Sequence, residues 1–254
     1  MQINHKPTKI LILGRSGSGK TTYLLRYVDS APQQYIFIFD HKLEFLERMG
    51  IQPYYTVGEC AEALKRKETT ISYCYAEEFE GEVETAFEFY CEWVYEVSKV
   101  IPGTKLIVID EVNRFTQTWE TGYSAFKTLI QDGRLQGLDL ISTSHGANEI
   151  STKLRNQLTE IVALHSVDRR SVKFLEENNF DPDEVMSLEV GQFVALETDT
   201  GTFHRGHLFK PGYKEKRGEE QEREEIQTPE NTQEEKVIDN DEQKEQSVDN
   251  TQNS

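Results

Sequence analysis

The stretch that most constrains this chain runs Lys9-Ile10-Leu11-Ile12-Leu13-Gly14-Arg15-Ser16-Gly17-Ser18-Gly19-Lys20-Thr21-Thr22. The branched apolar run at 9–13 predicts a buried strand, and the spacing over 20–29 predicts a helix. Between them Gly14, Gly19, Lys20 and Thr21 satisfy the pattern G-x-x-x-x-G-K-[ST] in the strand–turn–helix context that the pattern needs. Glycines let the backbone curl so that N–H groups point at phosphate oxygens, and the helix that follows adds the positive end of its dipole. Gly14, Arg15, Ser16, Gly17, Ser18, Gly19, Lys20, Thr21 and Thr22 are therefore the predicted nucleotide-binding residues. Lys20 is expected to reach the β- and γ-phosphates of a bound nucleotide, and the Thr21 hydroxyl to hold Mg²⁺.

The second chemical stretch lies about 90 residues further on, where Lys105-Leu106-Ile107-Val108-Ile109 ends in Asp110-Glu111. A continuous apolar run is the signature of a strand covered on both faces. Its carboxyl end opens onto the ligand crevice of an open α/β sheet. Asp110 is the predicted Mg²⁺ residue, directly or through water, and Glu111 the base that takes a proton from attacking water. A glycine-rich loop alone suits a kinase as well as a hydrolase. The Asp-Glu pair favours hydrolysis, and no acceptor-binding lid is evident.

Around these motifs the chain alternates. Strands are predicted at 34–39, 71–75, 137–145 and 159–165, with a short extended piece at 54–57. Helices are predicted at 43–49, 59–67, 81–100, 121–134, 148–158, 168–178 and 182–188. Runs at 191–198 and 202–209 suggest a terminal hairpin about Asp199-Thr200-Gly201. The pattern implies an α/β phosphate-loop NTPase fold, a mostly parallel sheet flanked by helices with antiparallel strands added at one edge. On the 81–100 helix, Val83, Phe87, Tyr90, Cys91, Val94 and Val97 share one face and read as core. His204 and His207, three apart on a strand, fall on opposite faces and predict no metal site.

The 254 residues carry a formal net charge of −17, which argues against binding nucleic acid by bulk charge but not by a local basic lining. The segment 211–254 holds 14 acidic and 6 basic side chains and one aromatic, Tyr213. Such a segment buries too little apolar area to offset its ordering entropy, so it reads as a disordered acidic tail after a motor domain at 1–210. Cys60, Cys74 and Cys91 have no Cys-x-x-Cys spacing and read as reduced thiols. No apolar run approaches the ~18–20 residues of a membrane span, so a soluble, cytoplasmically made protein is expected.

Further segments carry a family resemblance. Phe39-Asp40-His41-Lys42-Leu43-Glu44 resembles the Asp-Pro-Lys-x-x-Glu of the FtsK/HerA branch of phosphate-loop ATPases, with His41 in place of proline. Arg134-Leu135-Gln136-Gly137-Leu138-Asp139-Leu140 resembles its Arg-x-x-Gly-hydrophobic-His-Leu, and Val167-Asp168-Arg169-Arg170-Ser171 its Asp-x-Arg-[ST]. His145 falls where the branch usually has a sensor glutamine, with Ser142, Thr143 and Ser144 as neighbours able to share that role. The resemblance spans about residues 8–209. It implies a RecA-like fold, ATP and Mg²⁺ as ligands, and a homo-oligomeric ring, a hexamer among the sizes, in which Arg134 or Arg170 reaches a neighbour's nucleotide. It also implies double-stranded DNA as the translocated partner, gripped by pore residues for which Lys153 and Arg155 are candidates.

Because the sequence shows only a motor and a tail, it most resembles the genome-packaging ATPases of membrane-containing, double-jelly-roll viruses. Capsid-vertex or internal-membrane proteins then become partners, and the host cytoplasm or the packaging vertex of the virion the location. Two alternatives stand beside it. One is a nucleotide-dependent assembly switch or docking factor that moves no DNA. The other is an FtsK/HerA-type translocase of a mobile element.

Overall fold

The computed structural model describes residues 6–115, 124–147 and 150–209. The acidic tail at 211–254, and with it the predicted domain boundary, lies outside the described residues. So do Asn148 and the first residues of the helix predicted at 121–134.

Among the described residues nine strands form one sheet: β1 Lys9–Leu13, β2 Tyr35–Phe39, β3 Pro53–Tyr54, β4 Thr70–Tyr73, β5 Lys105–Ile109, β6 Leu138–Ser144, β7 Glu160–Ala163, β8 Gln192–Glu197 and β9 Thr202–His207. Their order is β3-β4-β2-β5-β6-β1-β7-β8-β9. Every pairing from β3 to β7 is parallel, and β8 and β9 add antiparallel edge strands as predicted. The sequence did not announce one feature of this order. β6 lies between the strand that feeds the glycine loop and the strand that ends in Asp110. Register puts Ile12 opposite Thr143 and Val108 opposite Ile141, so three strand ends rise together at one edge of the sheet.

The period of two along each strand explains the two cores. Leu11, Leu13, Phe37, Phe39, Ile107 and Ile109 point to one face, where they meet the helices α3 Val57–Lys65, α4 Val83–Val100, α5 Ala125–Asp132 and α7 Arg169–Glu177. Ile10, Ile12, Ile38, Leu106, Val108 and Ile141 point to the other, against α1 Lys20–Asp29 and Phe45 of α2 Glu44–Met49. The aromatic face of α4 is core, as expected: Phe39 packs at 5.2 Å from Phe87 and 5.3 Å from Tyr90. Cys60, Cys74 and Cys91 are buried. No described helix is long and apolar enough to cross a membrane.

Local chemistry moved several boundaries. The Thr56 side chain and Glu59 form a reciprocal capping box that starts α3 at Val57, two residues before the predicted start. Among the described residues the helix expected over 148–158 is a single turn, α6 Thr152–Arg155, capped by the Ser151 side chain. Its continuation is pre-empted because the Thr159 N–H donates to the Lys9 carbonyl and draws the chain into β7. A last short helix, α8 Pro182–Ser187, opens with proline in its first turn behind the Asp181 cap.

Candidate functional site

The loop between β1 and α1 is held by backbone at both ends. The Arg15 N–H donates to the His165 carbonyl at 2.9 Å, and the Gly191 N–H, just before β8, donates to the Ser18 carbonyl at 3.1 Å. Gly14 has no room for a side chain: a Cβ there would lie 2.6 Å from Ser18 Oγ and 3.0 Å from Leu164 Cβ. Gly19 sits at φ 106°, a left-handed geometry that costs glycine nothing. Gly19 is also the N-cap of α1 and offers no side chain, whereas α3, α5, α6, α7 and α8 are all capped by side chains. The first-turn amides of α1, like those of α2 and α4, have no side-chain cap, and at the end of a glycine-rich loop they are available to an anion. Arg15, Ser16 and Gly17 form the exposed tip. Ser18 Oγ is buried against Gly14 without a hydrogen-bond partner. Thr21 and Thr22 are half-buried in the first turn of α1, and the Arg48 guanidinium reaches Thr22 Oγ1 at 3.4 Å.

Lys20 is 6% exposed. Burial lowers the pKa of its ammonium, Asp110 and Glu111 oppose that, and Lys42 adds to it. The ammonium donates to the Arg15 carbonyl and to His145 Nδ1, both at 3.1 Å. An ammonium has no acceptor, so Nδ1 accepts and the neutral ring carries its proton on Nε2. That Nε2 lies 3.1 Å from Glu111 Oε1. The predicted sensor thus bridges the loop lysine and the predicted base.

Asp110 and Glu111 are fixed from β6. The Thr143 hydroxyl donates to Asp110 Oδ1 at 2.5 Å and accepts the Glu111 N–H at 2.9 Å. Glu111 itself takes the left-handed conformation, φ 53°, uncommon outside glycine and of a kind that clusters at functional sites. Its carboxylate is 2.6 Å from Lys42 Nζ through Oε1 and 2.9 Å from Arg114 Nε through Oε2. Burial pushes its pKa up, but the bonds from Lys42 and His145 and the charges of Lys42 and Arg114 outweigh burial and hold it down at about 2. Lys42 stood in a motif without an assigned role, and Arg114 was not singled out at all. The only signal for Arg114 was a cation three residues after the Asp-Glu pair.

The Asp40-His41-Lys42 turn is built to hold Lys42 there. Asp40 is buried, and its carboxylate accepts the Phe45 N–H at 3.2 Å at the start of α2. The His41 ring packs against Phe39 and Phe115, which also touch each other, and its Nε2 is buried without a hydrogen-bond partner.

Mg²⁺ fits the donor set. Thr21 and Asp110 supply hard oxygens, and Mg²⁺ is normally held by one or two side chains, substrate phosphates and water. Among the described residues no group of three or more His, Cys, Asp or Glu side chains could cage a metal, and this ion does not require one.

The predicted fingers are not gathered here. Arg134 is exposed on the short turn Gly133–Gln136, before β6, whereas His145 follows that strand. The seven residues of β6 separate them by on the order of 20 Å. Arg170 is exposed in the first turn of α7. Its neighbours explain the surrounding motif structurally. Asp168 caps α7 by accepting from Ser171 at 2.9 Å, and the Ser171 hydroxyl accepts the Ala147 N–H at 3.1 Å. Lys153 is exposed on α6, while Arg155 lies over the Phe174 ring at 5.6 Å and donates to Thr152 Oγ1.

No family model matches the sequence, and no curated protein does. Solved structures do. The chain is similar to the genome packaging NTPase B204 from Sulfolobus turreted icosahedral virus 2 in complex with AMPPCP, at 17% identity and a TM-score of 0.65 over 82% of this chain and 99% of that one. The same protein with ATP-gammaS gives 16% identity and 0.64 over 79% and 96%. The unbound bacterial conjugative coupling protein TrwB gives 10% and 0.58 over 79% and 84%. The chain therefore shares the fold of these proteins, the mostly parallel α/β sheet with antiparallel edge strands expected of a phosphate-loop NTPase.

Proposed function

We propose that this chain is an ATP-hydrolysing, DNA-translocating motor that works as a ring and packages double-stranded DNA into a virus particle. One observation carries the reading. At the ends of β1, β6 and β5, beside a helix N-terminus without a side-chain cap, Lys20, His145 and Glu111 form one hydrogen-bonded line. That line can sense a terminal phosphate at one end and activate water at the other.

In the mechanism the loop amides and α1 hold the phosphates, and Lys20 meets the β- and γ-phosphates. Thr21 and Asp110 would hold Mg²⁺, which neutralises charge on the phosphate oxygens. Thr143 keeps Asp110 and Glu111 oriented. Glu111 accepts the proton of the attacking water, and His145 aligns Glu111 against the lysine. Arg134 or Arg170 of a neighbouring subunit stabilises the transition state, a contribution of ~10³–10⁵ in rate where a finger comes from outside the site. The packaging role draws on the similarity to B204, and the ring and the DNA grip through Lys153 or Arg155 on the branch resemblance. On this reading the chain works in the host cytoplasm or at the virion vertex, with capsid or internal-membrane proteins as partners.

The formal charge of −17 favours a second reading, an assembly switch that hydrolyses nucleotide without moving DNA. Phosphate release with and without duplex DNA at low salt, together with solution mass with ATP, separates them. Stimulation by DNA in a multimer supports the motor, and unstimulated hydrolysis supports the switch.

A further inference from the structure

Lys42 lies on the turn after β2, and Glu111 follows β5, the strand paired with β2 in parallel with Phe39 opposite Ile109. The two side chains meet over the crevice at 2.6 Å. With Lys42 and His145 both on Oε1 and Arg114 on Oε2, each oxygen of the carboxylate already has a donor. A carboxylate has about four acceptor positions, so these three donors leave room for a water, but they also hold its basicity down, and losing Lys42 makes Glu111 a better base toward that water. Lys20, held through the same His145, lies close enough to Lys42 for their charges to interact. Lys20, Lys42 and Arg114 thus gather around Asp110 and Glu111 beside the His145 imidazole, with Glu44 and its partner Arg48 near enough for the Glu44 charge to act on Lys42 and both carboxylates.

We propose that Lys42 reads the terminal phosphate. It holds Glu111 while the site lacks a triphosphate, then leaves Oε1 for the γ-phosphate when a nucleoside triphosphate binds, freeing Glu111 to face water. A nucleoside diphosphate ends one phosphate short, so Lys42 stays on Glu111. Lys42 acts on the chemistry through Glu111 and is in that respect a positioning residue, as well as a selector of triphosphate over diphosphate. The proposal rests on the nucleotide-hydrolase reading of this site.

The test uses the full chain with Lys42→Met, a second neutral variant Lys42→Gln, and the charge-preserving Lys42→Arg. Calorimetric titration with AMPPCP and with ADP, both with Mg²⁺, measures the affinity ratio. The neutral variants are expected to weaken AMPPCP binding tenfold or more and to leave ADP within about twofold, with Lys42→Arg between them and the wild type. Glu111→Gln, which loosens the hold on Lys42, is expected to tighten AMPPCP binding severalfold in the wild-type background and not in Lys42→Met. Equal loss for both nucleotides, or loss for neither, overturns the proposal. If wild-type chain binds neither nucleotide, the hydrolase reading itself falls. If it binds and hydrolyses ATP while Lys42→Met keeps the wild-type ratio, only the role of Lys42 falls.

Discussion

Lys20 and Glu111 are joined through a single imidazole: the ammonium donates to His145 Nδ1 at 3.1 Å, and His145 Nε2 meets Glu111 Oε1 at 3.1 Å. Only a side chain with an acceptor on one side and a donor on the other completes this line. A glutamine amide has both, so His145→Gln is expected to keep kcat within about tenfold of wild type. His145→Ala leaves Lys20 and Glu111 without their link and is expected to lower kcat by ~10²–10³, the range for a positioned acid–base or electrostatic group. Steady-state phosphate release measures both. Equal activity in the alanine variant would remove His145 from the mechanism.

Thr143 performs the matching task for the carboxylates. Its hydroxyl gives a hydrogen to Asp110 and takes one from the Glu111 amide, at a glutamate held in left-handed geometry. Thr143→Val keeps the shape but leaves both partners unsatisfied. A loss of about 1–3 kcal/mol in urea unfolding is expected, with a fall in kcat as Glu111 loses its anchor. Thr143→Ser restores the hydroxyl and should recover most of both. A valine variant as stable and active as wild type would show that the left-handed Glu111 does not depend on this contact.

The glycine loop after β1 and the Asp110-Glu111 pair after β5 were legible in the sequence as strand-end segments because each is local. The loop residues are adjacent in sequence, and the Asp-Glu pair needs only the strand before it. The alternating pattern also revealed the sheet and its antiparallel edge. What stayed hidden depends on strand order. Nothing in the composition of 138–144 says that this strand lies between the two motif strands, yet that placement lets Thr143 and His145 reach Asp110, Glu111 and Lys20. Lys42 and Arg114 were illegible for the same reason, since their partner carboxylate is set by register and by an unusual φ. The single turn at 152–155 shows the converse: a periodic helical pattern gave way to pairing of the Thr159 amide with β1.

Asp40 and His41 should oppose each other as pH falls. Burial pushes the Asp40 carboxyl up to about 6, against the amide bonds from Phe45, Glu44 and Leu46. The folded chain therefore takes that proton before the unfolded chain does, and acidification from pH 7 to 4 adds stability through Asp40. Burial, with Lys42 and Arg114, brings His41 down to about 4 against Asp110 and Glu111. There the unfolded chain protonates first, and stability is lost over about pH 6.5 to 4. Each effect is at most on the order of 3 kcal/mol at ~1.4 kcal/mol per unit. Asp40→Asn is expected to lose stability on acidification more steeply than wild type, and His41→Phe, which keeps a ring against Phe39 and Phe115, less steeply. Urea midpoints at pH 7, 5.5 and 4.5 give the slopes. Parallel slopes in all three proteins would contradict the pairing.

Arg134 lies at the start of β6 and His145 beyond its end, a separation on the order of 20 Å that no arginine side chain spans. If Arg134 contributes to hydrolysis, it does so in a neighbour's site. Arg134→Ala and Lys20→Ala are each expected to be inactive alone. When mixed and allowed to exchange subunits, they create junctions that carry an intact Lys20 on one side and an intact Arg134 on the other. Partial recovery of phosphate release on mixing, rising and falling with the ratio of the two variants, is the expected result. Arg170→Ala mixed with Lys20→Ala gives the comparison, because Arg170 occupies the first turn of α7 and competes for the same role. Recovery with one arginine variant, and retained activity in the other alone, assigns the finger. Absence of recovery with either, in a preparation shown to be mixed, would exclude action between subunits for both.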